Sequence, residues 1–257
     1  MSLSIRQRLA YRAGSVLPLG SRGAQTERGI LSVTFDDFPR SAWSIGGELM
    51  AKVGGQATYY LAGTFCDATV DGVPYFRSED VAELVAAGHE LGCHSFDHRS
   101  VLEGRPGVYL ESVRRNAEFV TSLLPGYRLR SHAFPYGHVR LASRIALGRR
   151  FEILRGIRGP NRVTRFDPTH VDAGGLEDRR QGEIDWPRFI AETARMRGWL
   201  VLFTHGVTER PTPYDTRPLE LERVLSCAKN EGLDILSVGA ALDRMGATRS
   251  VEPGKAE

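Results

Sequence analysis

Cysteine is scarce. Cys66, Cys93 and Cys227 are the only three in 257 residues, odd in number, far apart and without a Cys-x-x-Cys pair. That argues against a disulfide framework and suits a reducing compartment. No stretch approaches the ~18 consecutive apolar residues of a membrane span, so no span is expected. The first twenty residues carry early basic side chains but no continuous apolar core, which argues against a secretory signal; a cytoplasmic protein is expected. Lysine and arginine number 34 against 31 acidic residues, a net charge of +3. The arginine pairs at 114–115, 149–150 and 179–180 are scattered, whereas a nucleic-acid face concentrates its basic residues; no nucleic-acid partner is expected. There is no Gly-x-Gly-x-x-Gly after a strand pattern, no P-loop and no Gly-x-Ser-x-Gly elbow, which removes the common nucleotide folds and the commonest serine hydrolase. Repeats and low-complexity blocks are also missing. Oligomeric state is left open.

What is present, from residue 29 onward, is alternation. Short apolar runs fall at ILSVTF (30–35), ATYYLAG (57–63), HELGCH (89–94), LRSHAF (129–134), FEILRG (151–156), LVLFTH (200–205) and DILSVG (234–239). Helical patterns separate them: 78–88, with Ser78 as the expected N-cap and Gly88 as the stop, then 107–124, 187–198 with Pro187 in its first turn, and 217–232. About seven β–α alternations imply parallel strands with crossover helices. A distorted (β/α) barrel of about seven parallel strands in a single domain fits this length better than an open sheet. The expected organisation is an N-terminal arm at 1–28, the barrel at 29–245 and a flexible polar tail at 246–257. The polar segment 161–185 reads as a long loop, either a wall of a substrate groove or a solvated insertion.

The unusual polar residues cluster on this map. Asp36 and Asp37 close the first strand, His94 the third, the FPYG stretch (134–137) the fourth and His205 the sixth. Barrel enzymes build their sites at the carboxyl ends of strands, so these sequence-distant groups should converge. His94 and His98 are spaced i, i+4, which on a helical turn puts both imidazoles on one face. Two histidines and one carboxylate can hold a zinc-like ion and leave positions open. Cys93 sits in an apolar strand, where a thiol is buried and inert.

At this point the sequence resembles the NodB-type polysaccharide deacetylases, carbohydrate esterase family 4. TFDD (34–37), GHELGCHSFDH (88–98), the Pro-Tyr-Gly loop and a strand ending Thr204–His205 follow one another as that family's motifs do, across residues 29–240. The resemblance implies a distorted (β/α) barrel and metal-dependent removal of N-acetyl or related acyl groups from an amino sugar in an oligo- or polysaccharide. It implies one divalent ion, zinc foremost with cobalt, nickel or manganese as alternatives, held by Asp37, His94 and His98. Asp36 is implied as the base and His205 as the acid. The Tyr136 backbone N–H, after Pro135, is implied as a donor to the oxyanion. Trp186 and Phe203 are implied as apolar walls, with core packing the other reading of each. Asp185 is implied as a partner that tunes His205, or else caps the helix starting near Pro187.

The chain also departs from that pattern. The family often has an arginine two residues before the motif proline, against the base; here Ala133 stands there. The acid that often pairs with it is also replaced, by Gly182. His132, His138 and Arg130 lie close in sequence, and none is assigned as the substitute. This departure keeps open a second reading, a hydrolase of a non-sugar amide, formamide or ester on the same barrel. A third, of a different class, is a carbohydrate-binding protein with a relic site.

Overall fold

Every residue of the first long strand is buried, which is the mark of a parallel strand covered on both faces rather than an alternating one. The computed structural model describes residues 3–161 and 163–250. Its main sheet takes up the apolar runs as β1 (Ile30–Asp36), β2 (Ala57–Leu61), β3 (Glu90–Cys93), β4 (Ser131–Ala133) and β5 (Ile153–Gly156). It continues through β6 (Val171–Asp172), β7 (Gly174–Gly175) and β8 (Trp199–Thr204), with β9 (Asp234–Ile235) alongside β1. All neighbours in this sheet are parallel. β1 lies at the centre, paired along its length with β8 and through its second half with β2.

The stave that nearly closes the barrel was not among the expected strands. It comes from the segment 161–185, whose polar sequence reads as a long loop. Its first half, β6, bonds to β5, and its second half, β7, bonds to β8. The expected last strand, 234–239, is correspondingly short. After β9 the chain turns at Ser237 into a helix, because the N–H groups that a helix start leaves unpaired find acceptors there. Ala240 N–H meets the Ser237 hydroxyl, Val238 N–H the Thr58 hydroxyl and Gly239 N–H the Glu90 carboxylate.

The helices are α1 (Ile5–Val16), α2 (Glu48–Lys52), α3 (Ser78–Ala86), α4 (Pro106–Leu123), α5 (Leu141–Leu147), α6 (Trp186–Met196), α7 (Pro218–Asn230) and α8 (Val238–Ser250). The N-cap of α3 is Arg77 rather than Ser78. Asp80 accepts the Arg77 N–H at 2.9 Å, which moves the helix start back one residue. α8 seals the amino end of the barrel: Val238, Ala241 and Met245 join Ile30, Ile153, Val201 and Phe203 in the interior cluster. A second, larger apolar layer lies between the sheet and the outer helices. The part of the expected tail beyond residue 250 lies outside the described residues. No helix among the described residues is long and apolar enough to cross a membrane.

Candidate functional site: an Asp–His–His cluster at the carboxyl end of the barrel

Two neighbouring carboxylates on a strand should face opposite ways. Here the strand ends at Asp36, and the chain turns left-handed at Asp37 (φ 61°) and Phe38 (φ 60°). Ser95, His98 and Tyr136 are also left-handed. Such backbone is uncommon for residues with side chains and gathers where a site over-determines it. It frees Asp37 from the alternation and lets both acids serve one pocket.

His94 follows directly after β3, and His98 lies four residues on. They are not on a helical turn, as their spacing suggested. Residues 94–98 form a loop with left-handed turns at Ser95 and His98. The Ser112 hydroxyl on α4 holds that loop by accepting the N–H groups of Phe96 and Asp97, each at 3.0 Å. The outcome for the imidazoles is the same, with ring centroids 5.0 Å apart. Asp37 Oδ1 lies 2.9 Å from His98 Nε2 and 3.3 Å from His94 Nε2. One ligand atom from each of the three residues falls within 4.8 Å of the others.

This donor set calls for a positive charge at its centre. His94 Nδ1 is 2.8 Å from the Ala133 carbonyl, which fixes the tautomer and leaves a lone pair on Nε2. Two electron pairs, on Nε2 and on Asp37 Oδ1, then face each other. Burial alone would push the Asp37 carboxyl up, but the charge of His98 and the contacts to His94 and His98 hold it well below the usual carboxylate range. Burial likewise works against a charged His98, and Asp37 outweighs it, raising His98 above its ordinary value. Two imidazoles and one carboxylate are ordinary ligands for zinc and its neighbours.

Asp36 has a partner that the sequence did not reveal. The Arg155 Nη2 donates to Asp36 Oδ1. Arg155 is fully buried near the end of β5, and its Cα is the register partner of Ala133. An arginine thus reaches the base position from the strand next to the one where the motif would carry it. Its guanidinium lies between the rings of Tyr60 and Phe203, 5.1 and 5.2 Å from their centroids. Tyr60 can occupy the barrel interior because Gly92 faces it, where a Cβ would come within 2.3 Å of the ring. Phe203 is therefore buried packing against Arg155.

His205, directly after β8, brings Nε2 to 3.8 Å from Asp37 Oδ2. Its Nδ1 is 3.2 Å from the Tyr214 carbonyl and 3.7 Å from Glu177 Oε1. Glu177 is the carboxylate beside His205. It has no exposed side-chain surface, and Arg179 and Arg180 each lie 3.1 Å from its other oxygen. Burial pushes the Glu177 carboxyl up against the opposing charges of His205, Arg179 and Arg180. Asp185 instead caps α6, accepting the Arg188 N–H at 3.1 Å. Trp186 is buried and lines a cavity of about 360 Å³ with Ile184, Ile190, Val224 and Glu177; Asp37, His94 and His98 are not in that lining. Pro135, Tyr136 and Gly137 form a tight turn whose last two residues are left-handed. The Tyr136 ring is 57% exposed and sits 4.8 Å from that of His98. Cys93 is buried, and burial pushes its thiol up to about 11, which suits an inert core residue.

Arg155 and Glu177 were both missed from sequence. Arg155 had a signal: a charged residue near the carboxyl end of the strand run FEILRG, directly after Ile153 and Leu154. Glu177 had one only if Gly174–Gly175 had been recognised as a stave, since it stands two residues beyond it.

A protein-family model described as polysaccharide deacetylase matches residues 23–148, the part that carries Asp36, Asp37, His94, His98 and Tyr136. Peptidoglycan deacetylase PdaC from Bacillus subtilis shares the fold with a TM-score of 0.55 and 16% identity, over 88% of this chain and 96% of that one. A family 4 carbohydrate esterase from Bacillus anthracis gives 0.59 and 12%, over 95% and 94%. BA3943, a CE4 family pseudoenzyme from Bacillus anthracis, gives 0.58 and 14%, over 86% and 67%. At these identities the likeness is one of fold, and the fold is shared by a deacetylase and a pseudoenzyme alike. No curated protein sequence matches the chain.

Proposed function

We propose that this chain, which belongs to the NodB-type polysaccharide deacetylase family, is a metal-dependent hydrolase that removes N-acetyl or a related acyl group from an amino sugar in an oligo- or polysaccharide. The observation that carries the reading is the convergence of Asp36, Asp37, His94, His98 and His205 from the ends of three strands, with the base position tied to Arg155. A relic site would have no reason to keep all five together with a buried arginine.

Asp37, His94 and His98 would hold the ion, with zinc first among the candidates. A divalent ion in such a site polarises the acyl carbonyl and acidifies a water. Asp36 is the base that takes the water proton. Arg155 donates to one of its oxygens and leaves the other for the proton. His205 is the acid. With Nδ1–H directed at the Tyr214 carbonyl, Nε2 is the nitrogen turned to the site, and it delivers a proton to the departing amine. The Tyr136 N–H lies in the tight Pro135–Gly137 turn beside His98; it is offered to the tetrahedral oxyanion, a contact typically worth ~3 kcal/mol.

The test is acyl-release profiling of zinc-loaded protein on N-acetylated chitooligosaccharides and on small amides and formamides. Acetate release from the glycans is expected, with Asp36→Asn losing at least ~10³-fold in turnover while keeping its metal by elemental analysis. Release from small amides alone would move the activity to the second substrate class. Full activity in Asp36→Asn would remove Asp36 from the role of base.

A further inference from the structure

The N-terminal helix lies against the site face, and the way it is held there is specific. Arg144 is buried and donates to the carbonyls of Gly14 and Leu17 at the carboxyl end of α1, where a helix favours a cation. Gln7 ties the other end to the Leu102 carbonyl at 3.1 Å. Gly14 sits against backbone: a Cβ there would come within 2.8 Å of the Val139 carbonyl oxygen. The helix is thus seated directly on the segment that follows the Pro135–Gly137 turn.

That seating places Tyr11 at the end of a strip of rings that begins at the metal cluster. The His98 and Tyr136 rings are 4.8 Å apart, Tyr136 and His138 5.8 Å, and His138 and Tyr11 5.9 Å. Tyr136 is exposed, and His138 and Tyr11 are half-buried. The Ser100 hydroxyl holds His138 Nδ1 at 2.8 Å, which fixes that ring. Arg158 lies beyond, held by Asp172 and close enough to Tyr11 to bear on its hydroxyl. Aromatic rings with polar edges suit a sugar, whose C–H faces stack while its hydroxyls are taken at the rim.

We propose that Tyr136, His138 and Tyr11 form an extended glycan-binding strip leading away from the Asp37–His94–His98 cluster, so that α1 is one wall of the substrate groove. This rests on the carbohydrate reading above but not on catalysis. A chain bound at the cluster lays its neighbouring rings along the strip, and the last of them meets Tyr11. A single sugar at the cluster reaches Tyr136 at most.

The experiment is calorimetric titration of zinc-loaded Asp36→Asn protein with chitooligosaccharides of one, two and four residues. The tetramer is expected to bind at least tenfold more tightly than the monomer. Tyr11→Ala should weaken the tetramer about five- to tenfold and the monomer less than twofold, with Tyr11→Phe restoring the difference. His138→Ala carries the same test should Tyr11→Ala fail to fold. Length-independent binding, equal losses for monomer and tetramer, or no binding at any length would overturn the strip. Tyr11-dependent binding without acyl release from wild-type protein would uphold the strip and sink the deacetylase reading instead.

Discussion

Two acids at opposite ends of the same barrel are enclosed by protein and have opposite surroundings. Glu90, the first residue of β3, is buried at the amino end. It accepts the Gly239 N–H at 2.6 Å, the Thr58 hydroxyl at 2.9 Å and the Ser131 hydroxyl at 3.2 Å. Asp37, just past the end of β1, has a buried Oδ1 that finds no ordinary donor and faces two imidazole nitrogens. Both belong to the stretches that carry the family resemblance, so motif position alone does not separate them. Their partners do. A buried carboxylate whose oxygens are answered by neutral donors is a structural fastening, here holding α8 into the barrel end. One that faces two imidazole nitrogens instead is placed to share a cation with them.

The sharpest way to break this contrast is to delete each acid in turn. Asp37→Ala should abolish metal loading and with it at least ~10³-fold of activity, while the metal-free protein loses only the contacts of Asp37 with His98 and His94 and is destabilised less than by the loss of Glu90. Glu90→Ala should do the reverse. It strands three donors and opens a cavity, costing about 3 kcal/mol or more, with metal content retained in the fraction that folds. Urea unfolding and elemental analysis on both variants decide it. A large stability loss in Asp37→Ala would show that the cluster is a structural fastening too.

Much of this was legible in the sequence, and what was not has identifiable causes. Fully buried parallel strands read as apolar runs, so β1 and β8 could be placed within a residue or two. The Gly174–Gly175 stave could not, because it carries no side chains to make a pattern. The run DILSVG reads as a strand throughout, although a short apolar run does not distinguish strand from helix; its outcome depends on acceptors supplied by Thr58 and Glu90, far away in the chain. In the site, groups tied to strand ends could be named in advance. Arg155 and Glu177 act across the register, from neighbouring staves, and strand pairing is not written in local sequence. Asp185 had a local role available as a cap, and the structure gives it that role.

Arg155 sharpens the comparison at the next level of effect, because it links a buried acid of the upper site to the barrel interior. Arg155→Met keeps the bulk between Tyr60 and Phe203 but removes the donor to Asp36. Turnover should fall about 10²-fold, with zinc content unchanged, because the ligands are elsewhere. Stability should drop by about 3 kcal/mol from the unpaired carboxylate. Restoring an arginine at Ala133 in that background, one strand over at the same level, should recover part of the turnover. Wild-type turnover in Arg155→Met would show that Asp36 needs no such tether.

The smallest effect concerns pH. Burial pushes the Glu90 carboxyl above its ordinary value, and its hydrogen bonds with Gly239, Thr58 and Ser131, with Arg130 nearby, offset this only in part. A group whose value is raised on folding contributes stability that is fully present below its unfolded value, about 4.3 for glutamate. That contribution is lost as pH rises through the folded value. Glu90→Gln is neutral throughout and has no such loss. The stability of wild type relative to Glu90→Gln should therefore decline from pH 4 to pH 7, other titrations cancelling in the difference. Urea midpoints at pH 4, 5.5 and 7 measure it. A difference that instead grows with pH would mean that the charged form is the one the barrel favours. Glu90 would then resemble Asp37 in preferring its charge, supplied with donors where Asp37 is placed to share a cation, and the two ends of the barrel would differ only in what answers the acid.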